Sequence, residues 1–237
     1  MPLVSGQGMR ILIAGFLHSG TSILRKLVGN HPEVHDHFAS ETRRYTRDDR
    51  LLRRIFPRRY GGRRNVVFKW PFHDVEAVTN AHRVIYIVRS PFDAFGSLWQ
   101  RFGGELPPDH SPAAWQAYAR FLLDRPSSDR HCFVRYEDLF RDDYRVMRSL
   151  MDWLGLGWHE DIVRTESRYA PIRFAGDRPQ AEPERRDHAA FRAWQTSQAF
   201  VDKSGQSRRH LPDHLAQALS SLPECGLLGY RVEEACI

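Results

Sequence analysis

The stretch Arg10–Pro32, RILIAGFLHSGTSILRKLVGNHP, decides how the rest of the chain is read. Ile11, Leu12, Ile13 and Ala14 form a short continuous apolar run, the pattern of a strand covered on both faces in a parallel sheet. A tight turn follows, from Gly15 through His18, Ser19, Gly20 and Thr21 to Ser22. Beyond it Ile23, Leu24, Leu27 and Val28 recur at helical spacing, and Gly29, Asn30 and Pro32 supply a stop. A turn of small residues that opens a helix leaves backbone N–H groups without intrahelical partners at the positive end of the helix dipole. Such a turn is a natural cradle for a phosphate.

Working outward, Val66, Val67 and Phe68 read as a second core strand that ends in Lys69, Trp70, Pro71, Phe72 and His73, with Pro71 stopping it. Val84–Val88 is the clearest strand in the chain, and Arg89 closes it. Ser90, Pro91 and Asp93 then form a strong helix start, with serine as N-cap, proline at the first helical position and an acid in the first turn. Phe95, Leu98, Trp99 and Phe102 continue that helix until Gly103 and Gly104 end it. Ser97 lies eight residues after Arg89, about two helical turns on, so the spacing predicts that both face one anion near the strand end.

Further on, residues 112–124 read as an amphipathic helix and Cys132–Val134 as a strand. A helix carrying Tyr144, Val146, Met147, Leu150, Trp153 and Leu154 stops at Gly155, and a last helix is expected over about residues 213–222. His31–Glu41 reads as a histidine-bearing loop, and 176–187 as a polar loop. Strands alternating with helices predict βαβ units. The expectation is an α/β fold, one domain over residues 10–237 with a mostly parallel central sheet flanked by helices, after a flexible tail at 1–9. Ligands of such sheets bind beyond the carboxyl ends of the strands.

Composition narrows the function. The chain has 237 residues, 41% of them hydrophobic and 27% charged, which suits a globular domain rather than a disordered one. A net charge of +6 favours an anionic ligand without choosing among nucleotide, acidic substrate and nucleic acid. Ten arginines between Arg43 and Arg64 form either a solvated face or an electropositive rim, and no nucleic-acid-binding motif accompanies them. Three cysteines without a CxxC pair argue against a disulfide framework or a zinc site and favour a reducing, cytoplasmic setting. No apolar run approaches the length of a membrane span.

An ATP-type P-loop reads GxxxxGK[ST]; here Gly15 and Gly20 are followed by Thr21 and Ser22, so the lysine that reaches the outer phosphates is missing. At this point the sequence resembles the sulfotransferases that use 3′-phosphoadenosine 5′-phosphosulfate (PAPS), in their bacterial and Golgi-type branch. GFLHSGTSILRKLVGNHPEV looks like their 5′-phosphosulfate loop, KWPFH like their KTPxH element, RVIYIVRSPFDAFGSLWQRF like their 3′-phosphate motif, and FVRYEDLFRDDYRVMRSLMDWLGL like their YEDL segment. The likeness runs from about Arg10 to Leu156, with a weaker echo at Ser204–Arg209.

The resemblance implies a P-loop nucleotide-kinase-like sulfotransferase fold and specific roles. His18, Ser19, Gly20, Thr21 and Ser22 would hold the 5′-phosphosulfate end, and Arg89 and Ser97 the 3′-phosphate. Arg208 or Arg209 would add to the nucleotide site. Lys69 would offset charge on the departing phosphate. Glu41, in SETRRY, is the first choice for the base that takes the acceptor proton; His73 is second, with His35 and His37 behind it. Tyr136, Glu137 and Asp138 are expected to pack and cap behind the site. His18 stands where relatives carry arginine or lysine, so the positive charge there is expected to be weaker or pH-dependent.

The expected reaction is transfer of a sulfonate from PAPS to a hydroxyl of a small molecule, bacterial natural products among the candidates, or of a glycan. The product would be adenosine 3′,5′-bisphosphate (PAP), with no metal required. The alternative is a P-loop kinase or other nucleotide-dependent phosphotransferase. Neither the acceptor nor the oligomeric state follows from the sequence.

Overall fold

In a computed structural model, the structure describes residues 8–36, 65–70, 81–106, 108–164 and 202–230. Five strands form one parallel sheet: β1 (Arg10–Gly15), β2 (Val34–Asp36), β3 (Asn65–Trp70), β4 (Arg83–Val88) and β5 (His131–Arg135), in the order β2-β3-β1-β4-β5. The helices among the described residues are α1 (Thr21–Gly29), α2 (Pro91–Arg101), α3 (Pro112–Leu123), α4 (Arg145–Leu154), α5 (Asp213–Ser220) and α6 (Pro223–Leu227). Among the described residues no helix is long and apolar enough to cross a membrane.

Strand alternation sends successive side chains to opposite faces, and β1 shows the consequence. Leu12 and Ala14 join a core layer with Phe92, Phe95, Trp115, Tyr118, Leu219 and Cys225, which puts α2, α3, α5 and α6 over one face. Ile11 and Ile13 join Leu24, Leu27, Met147 and Leu150, which puts α1 and α4 over the other. All four β1 residues are fully buried, as the continuous apolar run predicts for a central parallel strand. Tyr118 ties its layer to the sheet by donating its hydroxyl to the Ile87 carbonyl at 2.9 Å.

The order of strands places the ligand crevice. β1 has β3 on one side and β4 on the other, so the chain reverses its direction of sheet building at β1. That is the switch point at which open α/β sheets bind ligands. The carboxyl ends of three neighbouring strands therefore deliver the Gly15–Gly20 turn, Lys69 and Arg89 to one place.

Several local expectations need correction. The His31–Glu41 loop contains a strand, β2, whose three residues are too few to show a period. Ser90 occupies the N-cap of α2, but its side chain makes no capping bond; its backbone N–H donates to Glu137 Oε1 at 2.8 Å instead. Tyr144 lies before α4 rather than in it, in the left-handed conformation (φ 59°), with its ring stacked on Trp158 at 6.0 Å. The last helix stops at Ser220 and a separate α6 follows. Pro223 opens α6, and proline is disfavoured inside a helix, where it lacks a donor and clashes with the preceding turn.

Candidate active site

The turn between β1 and α1 is shaped by two positive φ angles, 61° at His18 and 94° at Gly20. Gly20 is required twice over. Its φ favours glycine, and a Cβ there would sit 2.5 Å from Tyr136 Cδ2. Gly15 is equally hemmed in, since a Cβ would meet the Ile87 carbonyl oxygen at 2.7 Å. The first turn of α1 has no acidic residue and no side-chain cap, so its positive end stays uncompensated by any carboxylate of its own.

A lysine does reach this turn, from the sheet rather than from within the loop. Lys69, buried near the end of β3, donates from Nζ to Ser22 Oγ at 2.7 Å. On the other side of β1, Arg89 leaves the end of β4 as a buried strut. One guanidinium nitrogen donates to the His18 carbonyl at 3.3 Å and the other to the Lys203 carbonyl at 2.9 Å. Its Cζ lies over the Tyr136 ring, 4.5 Å from the ring centre. Arg89 Nε and Ser19 Oγ are buried without a hydrogen-bond partner among the described residues. Buried polar atoms are rarely left so, and an anionic ligand would supply acceptors for both.

His18 links the turn to α2. Its Nδ1 lies 2.7 Å from Ser97 Oγ, and its Nε2 lies 3.5 Å from an Arg101 nitrogen. Arg89 meets the His18 backbone and Ser97 meets its ring, so the predicted anion pair converges on this one residue. Burial, then the charges of Arg101, Arg89, His110 and Lys69, push the His18 pKa down to about 3. His18 is neutral around pH 7 and contributes a dipole, with the positive charge supplied by Lys69, Arg89 and Arg101.

Seen as a whole chain, this architecture has precedents. No family model matches the sequence, and no curated protein does. Among solved structures, the sulfotransferase domain of the Synechococcus PCC 7002 olefin synthase aligns over 87% of this chain and 95% of its own, at 18% identity and a TM-score of 0.52. The sulfotransferase domain from the curacin biosynthetic pathway aligns over 95% and 98%, at 16% identity and a TM-score of 0.53. The chain has the sulfotransferase fold. At these identities the likeness concerns architecture, and chemistry has to be argued from the side chains.

Within the sulfotransferase fold, Ser19, Gly20, Thr21, Ser22, Lys69, Arg89, Ser97 and His18 occupy one end of the sheet around the β1–α1 turn. Glu41, His73 and His37 lie outside the described residues. His35 is in β2, half-buried and in register with Val66. Arg208 and Arg209 lie in a 3-10 turn (Arg208–His210), which follows the Asp202–Ser207 stretch. Arg208 lays its guanidinium over the Phe92 ring at 4.4 Å, and Arg209 Nε donates to the neighbouring His210 ring at 3.3 Å. No group of three or more His, Cys, Asp or Glu among the described residues is arranged to hold a metal ion.

One contributor, Arg101, was not legible as such; Tyr136 and Glu137 were expected as packing and capping residues. Arg101, in the last turn of α2, borders His18. Tyr136 packs against Gly20 and accepts a hydrogen bond from the Lys203 N–H at 3.3 Å. Glu137, whose carboxyl pKa is raised by burial, accepts from Ser90 N–H and, at 3.2 Å, from the Tyr230 hydroxyl. The expected supporting role of the Tyr136–Asp138 stretch thus acquires definite contacts; its position behind the turn is fixed by β5, which pairs with β4.

Proposed function

We propose that the protein is a PAPS-dependent sulfotransferase acting on a hydroxyl group of a small molecule or glycan. The observation that carries this reading is the Lys69–Ser22 contact: a phosphate-type turn without its own lysine receives an ammonium from the adjacent strand. The sulfotransferase fold and the resemblance of four sequence motifs in order support it.

In this reading the α1 N-terminus and the hydroxyls of Ser19, Thr21 and Ser22 bind the 5′-phosphosulfate end of the donor. Arg89 and Ser97 bind the 3′-phosphate. Glu41 takes the proton of the acceptor hydroxyl as its oxygen bonds to sulfur. The bond between sulfur and the bridging oxygen breaks, its electron pair stays on the 5′-phosphate, and Lys69 offsets that growing charge. Preorganised cations of this kind commonly contribute more to catalysis than any other single effect. No metal is assigned, because the group in transit carries less charge than a phosphoryl group and fixed cations and N–H donors suffice.

Titration with PAP and with ATP plus magnesium tests the assignment. Affinity for PAP is expected near about micromolar, unaffected by EDTA, and weakened at least about 100-fold in Arg89→Ala because a buried anion partner is removed. Preference for ATP with magnesium would instead identify a phosphotransferase.

A further inference from the structure

Asp93 is buried in the first turn of α2 at 3% exposure, and an acid there favours the helix dipole. Its contacts assign it more than that. Asp93 Oδ1 accepts from the backbone N–H groups of Ser207 at 3.1 Å and Arg208 at 3.2 Å, and Oδ2 accepts from the N–H of Gly205. Gly205 has a φ of 77°, and a left-handed residue followed by others turns nearby N–H groups toward one point, the geometry of an anion-binding nest. Here a carboxylate of the chain itself occupies that nest.

The same segment is secured at other points. Gly96, on the face of α2 below it, has no room for a Cβ against the Ser207 carbonyl oxygen. Lys203 contributes its carbonyl to Arg89 and its N–H to the Tyr136 hydroxyl. Arg89 also approaches Asp93 Oδ2 at 3.7 Å. The strand-end arginine and the α2 carboxylate therefore grip two ends of one segment, while the other arm of Arg89 grips the β1–α1 turn at His18.

We propose that Asp93 is a positioning residue that tethers the Asp202–His210 segment against α2 before any ligand arrives, closing one wall of the nucleotide site in advance. The nucleotide part of this inference rests on the proposed donor specificity. Its consequence is that the amides of Gly205, Ser207 and Arg208 are committed to Asp93, so the segment meets the nucleotide through other groups, the Arg208 and Arg209 side chains among them. Ordering the segment is then a cost of folding rather than of binding, which strengthens affinity by preorganisation.

Asp93→Asn keeps the shape of the side chain but removes its charge and replaces one acceptor by an NH2 that opposes the incoming N–H groups. Amide hydrogen exchange without nucleotide is the direct test. In the wild-type protein the amides of Gly205, Ser207 and Arg208 are expected to be protected, and in Asp93→Asn to exchange at least about tenfold faster. The KM for PAPS should rise about 10- to 100-fold, with kcat at saturating donor and the acceptor KM both within about threefold, the signature of lost uniform binding. Gly205→Ala, whose Cβ would meet nothing within 4 Å, attacks the nest from the loop side without touching the core and should shift both readouts in the same direction if Asp93→Asn does not fold. Wild-type amides that exchange freely without nucleotide would overturn the tether, and faster exchange in the variants with unchanged donor KM would overturn its part in preorganising the nucleotide site. If the wild-type protein binds no PAP, the donor assignment fails and the exchange measurement alone decides the tether.

Discussion

Replacing Gly20 by alanine should damage stability and ligand binding together, through one ring. The new Cβ would stand 2.5 Å from Tyr136 Cδ2 and 3.0 Å from Cε2, on a backbone with a φ of 94°. The left-handed conformation costs an alanine about 1–2 kcal/mol. Relief of the overlap requires the ring to retreat about 1 Å to an ordinary carbon–carbon separation. Tyr136 cannot do so freely: it is 3% exposed, the Arg89 guanidinium lies over its ring, and its hydroxyl accepts from Lys203. Overpacking of this kind typically costs about 1–3 kcal/mol, so the total loss should be about 2–5 kcal/mol. Urea denaturation of wild type and variant measures that loss, and isothermal titration with PAP measures its companion, a drop in affinity as Arg89 is displaced. Unfolding free energies within about 0.5 kcal/mol of each other would refute the reasoning, because neither the φ nor the contact could then be as described.

If Lys69 offsets charge on the departing phosphate as proposed, Lys69→Met should lower kcat about 10²- to 10³-fold while leaving the protein folded, since it keeps the length of the side chain; turnover near wild type would reject the role. Glu41→Gln should reduce turnover about 10²- to 10⁴-fold if Glu41 is the base, and a near-normal rate would pass the role to His73. For His18 the sign follows from its lowered pKa. The unfolded chain takes up the proton near pH 6.5 and the folded chain only near about 3, so His18 supplies stability above pH 6.5 that is lost as pH falls between those values. Denaturation midpoints from about pH 7 to about pH 4 should therefore fall more steeply in wild type than in His18→Gln; parallel curves would contradict the buried neutral state.

Much of the fold was readable because its central strands carry short continuous apolar runs closed by distinctive residues. Val84–Val88 followed by Arg89, Ser90 and Pro91 announces a strand, a strand-end cation and a helix start in one phrase, and all three are present. β2 escaped because Val34–Asp36 is a three-residue edge strand, and its pairing with β3 is a tertiary fact that no local pattern encodes. The candidate site was legible where backbone geometry dictates residue type, at Gly15 and Gly20, and where a side chain closes a strand. It was not legible where a residue's partner lies far along the chain. Asp93 satisfies the local grammar of a helix start so well that nothing in the sequence signals its contacts 112 to 115 residues away. The lowered pKa of His18 likewise comes from burial and then from Arg101, Arg89 and His110, which only folding brings about.

The ammonium that serves the β1–α1 turn belongs to a strand, paired as Lys69 with Ile13. In a loop, a lysine could find its ligand by swinging on a flexible stem. On β3 its aim is set by hydrogen-bond register, and because side chains alternate, a slip of one residue would turn it to the opposite face of the sheet. Misregistered molecules would keep a compact shape and much of their secondary structure but hold no cation beside Ser22. Specific activity per folded molecule is thus a sensitive gauge of how faithfully β3 assembles, and refolding yields judged by spectroscopy alone would overstate the competent fraction.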